Sequence, residues 1–339
     1  MKKKIGIWIA VVFGLILLSA CGEKSQEDVV EKLDEKLEEM DGYKAKADMK
    51  MKTGKEDQDY KLDIWHKKKD FYKVALNSQA DEKGSQVILK NEDGVFVLTP
   101  ALDKSFKFQT DWPENSSQPY LFQSLVKDVK EDPEAEFEAN DTHYIFKTKT
   151  NYQSNNNLPF QEIHFNKKTY TPDLVKVLDK DKQALVEVKF SEFDTKPSFK
   201  KDDFEMKKDE SSNNTDEAVS KTKGETDQPL SVVFPENISG AELEEKKEVN
   251  LENGERVILS YSGEKDFTLI QEKMDTAPTI ASPQEVKGDI VNLGQSIGAL
   301  SENTLEWTHN GVDYYLASED LTKEELIEVA QSVQGKEVK

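Results

Sequence analysis

Ile5 to Leu18 is apolar throughout except at Gly6 and Gly14, with Met1-Lys2-Lys3-Lys4 ahead of it and Ser19-Ala20-Cys21-Gly22 behind. A helix needs about 20 apolar residues to cross a bilayer core, so this shorter run reads as an export signal, residues 1–20, that is removed after targeting. The pattern then changes period. Val29, Val30, Leu33, Leu37 and Met40 recur on one face of a helix that Ser25 caps and Gly42 stops. From Tyr43 the period is two: Tyr43, Ala45, Ala47, Met49 and Met51 face one way, and Lys44, Lys46, Asp48, Lys50 and Lys52 the other. Further strands are predicted over 59–66, 71–77, 85–90, 94–99 and 105–109, then a helix over 118–129. Strands follow at 134–140, 142–150, 158–166, 172–178 and 184–194, with turns at Lys67–Asp70, Asn91–Gly94, Asn166–Lys168 and Asp179–Asp181.

Lys207 to Gln228 holds only Ala218 and Val219 as apolar residues. Such a stretch buries too little surface to offset its ordering entropy and reads as a disordered linker over 207–228. The mature chain is thereby expected to consist of a tether at 21–25, a first domain at 26–206 and a smaller domain at 229–339. In the second domain, strands are predicted over 240–250, 255–262, 267–274 and 289–300. A hairpin over 304–318 then turns at His309-Asn310-Gly311. Thr322 and Glu325 form a capping box for a last helix, Leu321 and Leu326 its hydrophobic staple. The fold class is α+β, mainly β.

Two segments break the one-sided alternation. Phe71 to Leu76 and Val95 to Leu98 carry apolar side chains on both strand faces, so each side needs an apolar cover. Helices can supply one cover; the other is a second layer or a ligand cavity.

Leu18-Ser19-Ala20-Cys21 resembles the lipobox of bacterial lipoproteins. The resemblance implies a diacylglyceryl group on the sulfur of Cys21 and cleavage before it, which makes Cys21 the lipidation site. The protein is then anchored to the cell membrane on its extracytoplasmic face. Two or more acyl chains at ~0.8 kcal/mol per buried methylene hold a protein stably, where one does not.

The leading helix, Tyr60 to Leu76 around a Lys-rich turn, Ile88 to Pro100, and Ile163 to Pro172 leading into Val186 to Phe193 together resemble the LolA-like lipoprotein-carrier superfamily. More narrowly, residues 26–206 resemble the YdcC-type sporulation lipoproteins of spore-forming bacilli. The resemblance implies a curved antiparallel half-barrel, closed by helices over an apolar cavity that accepts acyl chains. Two departures stand out. Soluble carriers use an arginine near the cavity to hold the lid, whereas the one arginine here, Arg256, lies in the second domain. An anchor at Cys21 also argues against long-range transport. Residues 306–333 resemble a small domain of unknown function in Gram-positive lipoproteins. The pairing of a large and a small domain is similar, in architecture alone, to the RseB type of envelope-stress regulator.

Composition removes several function classes. Across 339 residues, 46 Lys plus Arg oppose 67 Asp plus Glu, a formal charge of −21 that becomes −24 once Lys2, Lys3 and Lys4 are removed. Such a surface lacks the basic patches that displace phosphate counterions, so no nucleic acid is expected as a partner. A single cysteine excludes a disulfide framework and a multi-cysteine zinc site. With 36% hydrophobic and 33% charged residues, modest cores are expected and multiple membrane spans are not. His66, His143, His164 and His309 stand singly on predicted strands or turns and are expected to be half-exposed. Ser116-Ser117 falls in a polar loop, and no GxSxG, phosphate-loop or calcium-loop pattern occurs. The expectation is a non-catalytic protein with no metal and no cofactor.

Two readings of function follow. In the first, the half-barrel binds an acyl chain, a lipid or a lipoprotein partner. Met49, Met51, Ile64, Phe71, Val74, Leu76, Phe96 and Leu98 are then pocket lining rather than packing core. In the second, the protein is a scaffold or envelope sensor whose surface contacts an envelope protein during sporulation or germination. A filled half-barrel would count against the first. The Lys67-Lys68-Lys69 turn is a solvated hairpin tip or a headgroup contact.

Overall fold

The computed structural model describes residues 24–52, 57–79, 84–102, 104–114, 116–152, 158–206, 230–274, 283–293, 296–309 and 311–333. The export signal, Cys21, the 207–228 segment and Asn310 lie outside the described residues.

Helix α1 (Gln26–Glu39) starts where Ser25 Oγ accepts the Asp28 amide at 3.2 Å and Asp28 Oδ2 accepts the Ser25 amide at 3.1 Å, a reciprocal capping box. It ends at Met40, whose backbone is extended, so the stop comes two residues before Gly42. Gly42 opens strand β1 (Gly42–Met51) instead. A Cβ there would lie 2.3 Å from the His66 carbonyl oxygen, so the glycine permits close strand approach rather than a helix cap.

From β1 the chain runs as an antiparallel meander through β2 (Gln58–Lys67), β3 (Phe71–Ser78), β4 (Gln86–Asn91), β5 (Gly94–Thr99) and β6 (Lys104–Gln109). A second meander, β7 (Glu136–Ala139), β8 (His143–Lys149), β9 (Phe160–Asn166), β10 (Pro172–Leu178) and β11 (Ala184–Asp194), returns to pair β11 with β1, Lys44 opposite Asp194 and Met51 opposite Val186. This sheet is the half-barrel.

Helix α2 (Phe122–Glu131) begins four residues later than the apolar pattern predicts. Pro119 disfavours a helical Gln118. The Gln118 amide instead donates to Ser124 Oγ at 2.7 Å, and the Phe122 amide donates to the Tyr43 hydroxyl at 3.1 Å. The helix start is thus held by a tyrosine of β1, while Leu121 at the cap contributes no side-chain bond.

Both faces of the central strands are covered. On one face α1 and α2 bury Val29, Leu33, Phe122, Leu125 and Val126 against Tyr43, Leu62, Ile64 and Val74. On the other, the chain after β11 folds back so that Phe204 buries Leu89, Phe96 and Leu98, with Trp65, Phe71, Val87 and Phe199 packed around them. Asn91 Nδ2 fastens this cover by donating to the Phe204 carbonyl at 3.0 Å.

The remaining elements are β12 (Ala241–Leu251), β13 (Gly254–Gly263), β14 (Phe267–Met274), β15 (Gln284–Lys287), β16 (Asp289–Asn292), β17 (Ile297–Leu300), β18 (Thr304–His309), β19 (Val312–Ala317) and α3 (Lys323–Ser332). Seven of these strands form a second sheet in the order β12-β13-β14-β19-β18-β17-β16. The single strand predicted over 289–300 is two, because the Leu293 amide donates to the Ser296 carbonyl at 2.9 Å and reverses the chain. Helix α3 carries the expected capping box between Thr322 and Glu325, with Leu326, Ile327, Val329 and Ala330 buried.

Strand β15 was not foreseen. It pairs in parallel with β6, Val286 opposite Phe108, and extends the half-barrel sheet to 12 strands. The 284–299 stretch thereby sews the two sheets together: Val286, Ile290, Ile297 and Ala299 pack into the same core as α1 and α2.

Candidate functional site

The half-barrel interior is occupied. Met49, Met51, Ile64, Val74 and Leu76 belong to the core beneath the helices, whereas Phe96 and Leu98 face the other way, under Phe204. Of the eight residues weighed as pocket lining, Met51 alone lines a crevice of about 70 Å3 at the seam between the sheets. Met51, Ile88 and Val186 contribute from the half-barrel, and Ile290 and Ile297 from the second sheet. Val291 and Asn292 join them from β16, Ile327 and Gln331 approach from α3, and the connections at Ser116–Tyr120, Tyr152 and Leu158 complete the lining.

Ser117 lies in a loop, as expected, but is buried there: it is 2% exposed, and its Oγ accepts the Asn151 amide at 2.7 Å. It also bonds Asp128, a residue of α2 that is 8% exposed and whose Oδ2 accepts Gln161 Nε2 at 2.6 Å. This buried group ties the crevice edge to α2 and β9. Burial, opposed by the bonds from Gln161 and Ser117, pushes the Asp128 carboxyl up to about 6 from 3.8. Between those values the folded chain holds a proton that the unfolded chain has released. Stability therefore falls as pH rises through that window and is level above it. Asp128→Asn keeps an acceptor for Gln161 and removes the charge. At about pH 7.5 it is expected to gain roughly 1–3 kcal/mol, and at about pH 4 nothing. Urea unfolding of the two chains at both pH values measures this; equal gains at both would contradict a buried carboxylate.

The histidines do other work. His66 is 9% exposed, not half-exposed, because period-two alternation on β2 places it on the core face with Leu62 and Ile64. Its ring stacks on Tyr72 at 4.6 Å and lies 5.4 Å from Tyr43, and its Nδ1 donates to the Phe71 carbonyl at 3.3 Å. Burial pulls it down to about 4, so it is neutral. His143 and His164 are half-buried, with Nε2 atoms 2.8 Å from Asp173 and 2.7 Å from Glu162. Among the described residues no three His, Cys, Asp or Glu side chains are grouped to hold a metal. Arg256 pairs with Glu272 across β13 and β14, its Nε donating at 2.6 Å.

Sequence reasoning missed most of the crevice. Its signal lay in the apolar 290–300 stretch, which was expected to be one strand of a separate core.

A family model described as sporulation protein YdcC-like matches residues 2–204. Sporulation protein YdcC of Bacillus subtilis (strain 168) is 48% identical over 339 residues, covering 100% of this chain and 99% of that one. Among solved structures, the Pseudomonas aeruginosa MucA/MucB complex aligns with a TM-score of 0.35 at 12% identity, covering 91% of this chain and 98% of that chain. A LolA superfamily protein from Nitrosomonas europaea aligns with a TM-score of 0.31 at 10% identity, covering 54% and 98%. With its first half matched by the family model and its full length by a relative of nearly half-identical sequence, the chain belongs to the YdcC-like family of sporulation proteins.

Proposed function

We propose that this protein is a non-catalytic lipoprotein of sporulation, anchored through Cys21 at the extracytoplasmic face of the membrane, that binds a protein partner at the seam crevice. The choice of a protein over a stored acyl chain rests on one observation, the filled half-barrel. The seam crevice at its end is about 70 Å3. That is under half of the ~150 Å3 that admits a benzene ring, so it accepts the tip of one apolar side chain rather than a long acyl chain. Ser116, Gln118, Asn292 and Gln331 at the crevice offer hydrogen-bonding groups to a polypeptide around such an anchor. The non-catalytic reading rests on the missing nucleophile and cofactor motifs.

A second reading, binding of an acyl chain, a lipid or the lipid of another lipoprotein, is favoured by the apolar lining of Met51, Ile88, Val186, Ile290, Ile297 and Ile327. One experiment separates the two. A photo-crosslinking side chain is placed at position 292 of the full chain in sporulating cells, with and without Ile290→Trp to fill the crevice. The protein reading expects a discrete protein adduct that disappears with Ile290→Trp, and purified protein free of stoichiometric lipid. Co-purified acyl chains at one per protein, with no protein adduct, would establish the second reading instead.

A further inference from the structure

The short reach between Cys21 and the fold restricts which end of the half-barrel meets the membrane; this step rests on the Cys21 anchor proposed above. Lys24 is the first described residue and only Gly22 and Glu23 separate it from Cys21, so three residue steps join the two, a span of at most about 11 Å even when fully extended. Lys24 is itself seated. Its Nζ donates to the Tyr170 hydroxyl at 2.6 Å and lies 5.0 Å from the centre of that ring.

Tyr170 closes the turn between β9 and β10 with φ 57°, its amide donating to the Asn166 carbonyl at 2.8 Å. Asn166 Oδ1 accepts the Lys168 and Thr169 amides at 3.0 and 3.3 Å, which stiffens the turn. The adjacent turn between β7 and β8 is fastened to it by the Lys167 amide, donating to the Thr142 carbonyl at 2.9 Å. Lys167 Nζ stands 5.1 Å over the Tyr144 ring, which lies 5.8 Å from Tyr170. Lys24, Lys167, Lys168 and the half-buried Tyr170 thus gather on one rim, where the adjoining turn adds one exposed carboxylate, Asp141. Amphipathic aromatic rings and lysines are the side chains that settle at headgroup level.

The crevice lies at the opposite end. Leu158, in its lining, precedes β9, and Tyr170 follows it; β9 alone spans roughly 20 Å at ~3.4 Å per residue. Tilting the body onto α1 is disfavoured, because Glu27, Glu31, Glu38 and Glu39 are exposed along that helix and would press carboxylates onto an anionic surface.

We infer that the Tyr170 rim is the membrane-facing surface, seated on lipid headgroups, and that the seam crevice opens away from the membrane that holds the anchor. The crevice therefore meets a partner arriving from the far side and does not draw lipid from the bilayer beneath it.

Cys21 is the only cysteine, so once it carries lipid a single introduced cysteine can be labelled cleanly. Full-length acylated Thr169→Cys and Lys180→Cys chains, both altered at exposed turn positions, are labelled with a fluorophore. They are then reconstituted in phosphatidylglycerol–phosphatidylethanolamine vesicles carrying a headgroup quencher. Quenching is expected to be severalfold stronger at position 169 than at 180. Equal quenching, or stronger quenching at 180, overturns the orientation while leaving the anchor intact, provided that the intact mass includes the diacylglyceryl group. A chain whose mass lacks that group overturns the anchor and the orientation together.

Discussion

Phe122→Ala is expected to lower the unfolding free energy of the full chain by about 3–5 kcal/mol, the range for emptying a large aromatic side chain from a packed interior. Phe122 is 0% exposed and is the first residue of α2. Its ring meets Tyr43 edge-on at 6.4 Å and Phe193 at 5.7 Å, and is tilted against Phe165 at 6.2 Å. Those partners come from β1, β11 and β9, so the truncation opens a void where one helix joins three strands. Relaxation into the void is resisted, because the Tyr43 hydroxyl holds the Phe122 amide and itself donates to Gln123 Oε1 at 3.0 Å. Urea unfolding followed by far-UV circular dichroism gives the loss, with an unchanged denaturant slope as evidence that the native state is otherwise retained. The same variant probes the filled interior directly. A small apolar probe such as benzene should bind the truncated chain and not the parent, since a dry apolar cavity takes such a guest. Binding of equal strength to both would mean that the half-barrel already holds usable space, and would return the acyl-chain reading to first place.

Local signals carried much of this architecture. Strands Gly94–Thr99, Pro172–Leu178, Ala184–Asp194 and Phe267–Met274 end where the apolar alternation and the turn residues place them. The Ser25 cap, the Thr322–Glu325 capping box and the two-faced strands were legible for the same reason: each is decided by neighbours in sequence. The misplacements arise where a distant residue decides. The start of α2 depends on Tyr43, 79 positions away in the chain, while Tyr120 and Leu121 continue the helical apolar pattern through a segment that is not helical. Gly42 looks like a helix stop because nothing local reveals the His66 carbonyl beside it. Strand β15 reads Gln-Glu-Val-Lys, with one apolar residue, and its parallel partner β6 is far away in sequence, so no periodicity marks it. The crevice was illegible on the same ground, being assembled from segments between Met51 and Gln331 that only the seam brings together. His66 is the exception, since its parity on β2 already put it inside; residue type argued otherwise.

At Gly288 the backbones approach closely, and Gly288→Val is expected to cost about 3 kcal/mol or more, with the damage concentrated between the two sheets. Gly288 is the one residue between β15 and β16, where the chain passes from the first sheet to the second. Its φ of 153° lies in a region that side-chain-bearing residues rarely adopt, and a Cβ would stand 2.5 Å from the Leu300 carbonyl oxygen and 2.8 Å from its carbon. Both are backbone atoms, so no rotamer change relieves the clash and one of the two strands must move. The surrounding links include Thr110 Oγ1 donating to Asp289 Oδ1 at 3.2 Å, the Ile297 amide donating to Gln86 Oε1 at 2.9 Å, and Lys104 paired with Asp313. Displacing β15 uncovers Val286 and the Phe108 edge of β6, and displacing β16 moves Ile290 out of the crevice wall. Hydrogen exchange separates this outcome from general unfolding. Amides of 284–292 should exchange markedly faster in Gly288→Val, while those of β1 to β3 keep most of their protection, because β6, β5 and β4 lie between those strands and β15 in the sheet. The adduct formed from position 292 should be lost along with the seam. Retained protection at 284–292 would mean that the seam does not need this glycine, and an adduct that survives when that protection is gone would mean that the partner is held elsewhere on the surface and that the crevice is only a packing defect between two sheets.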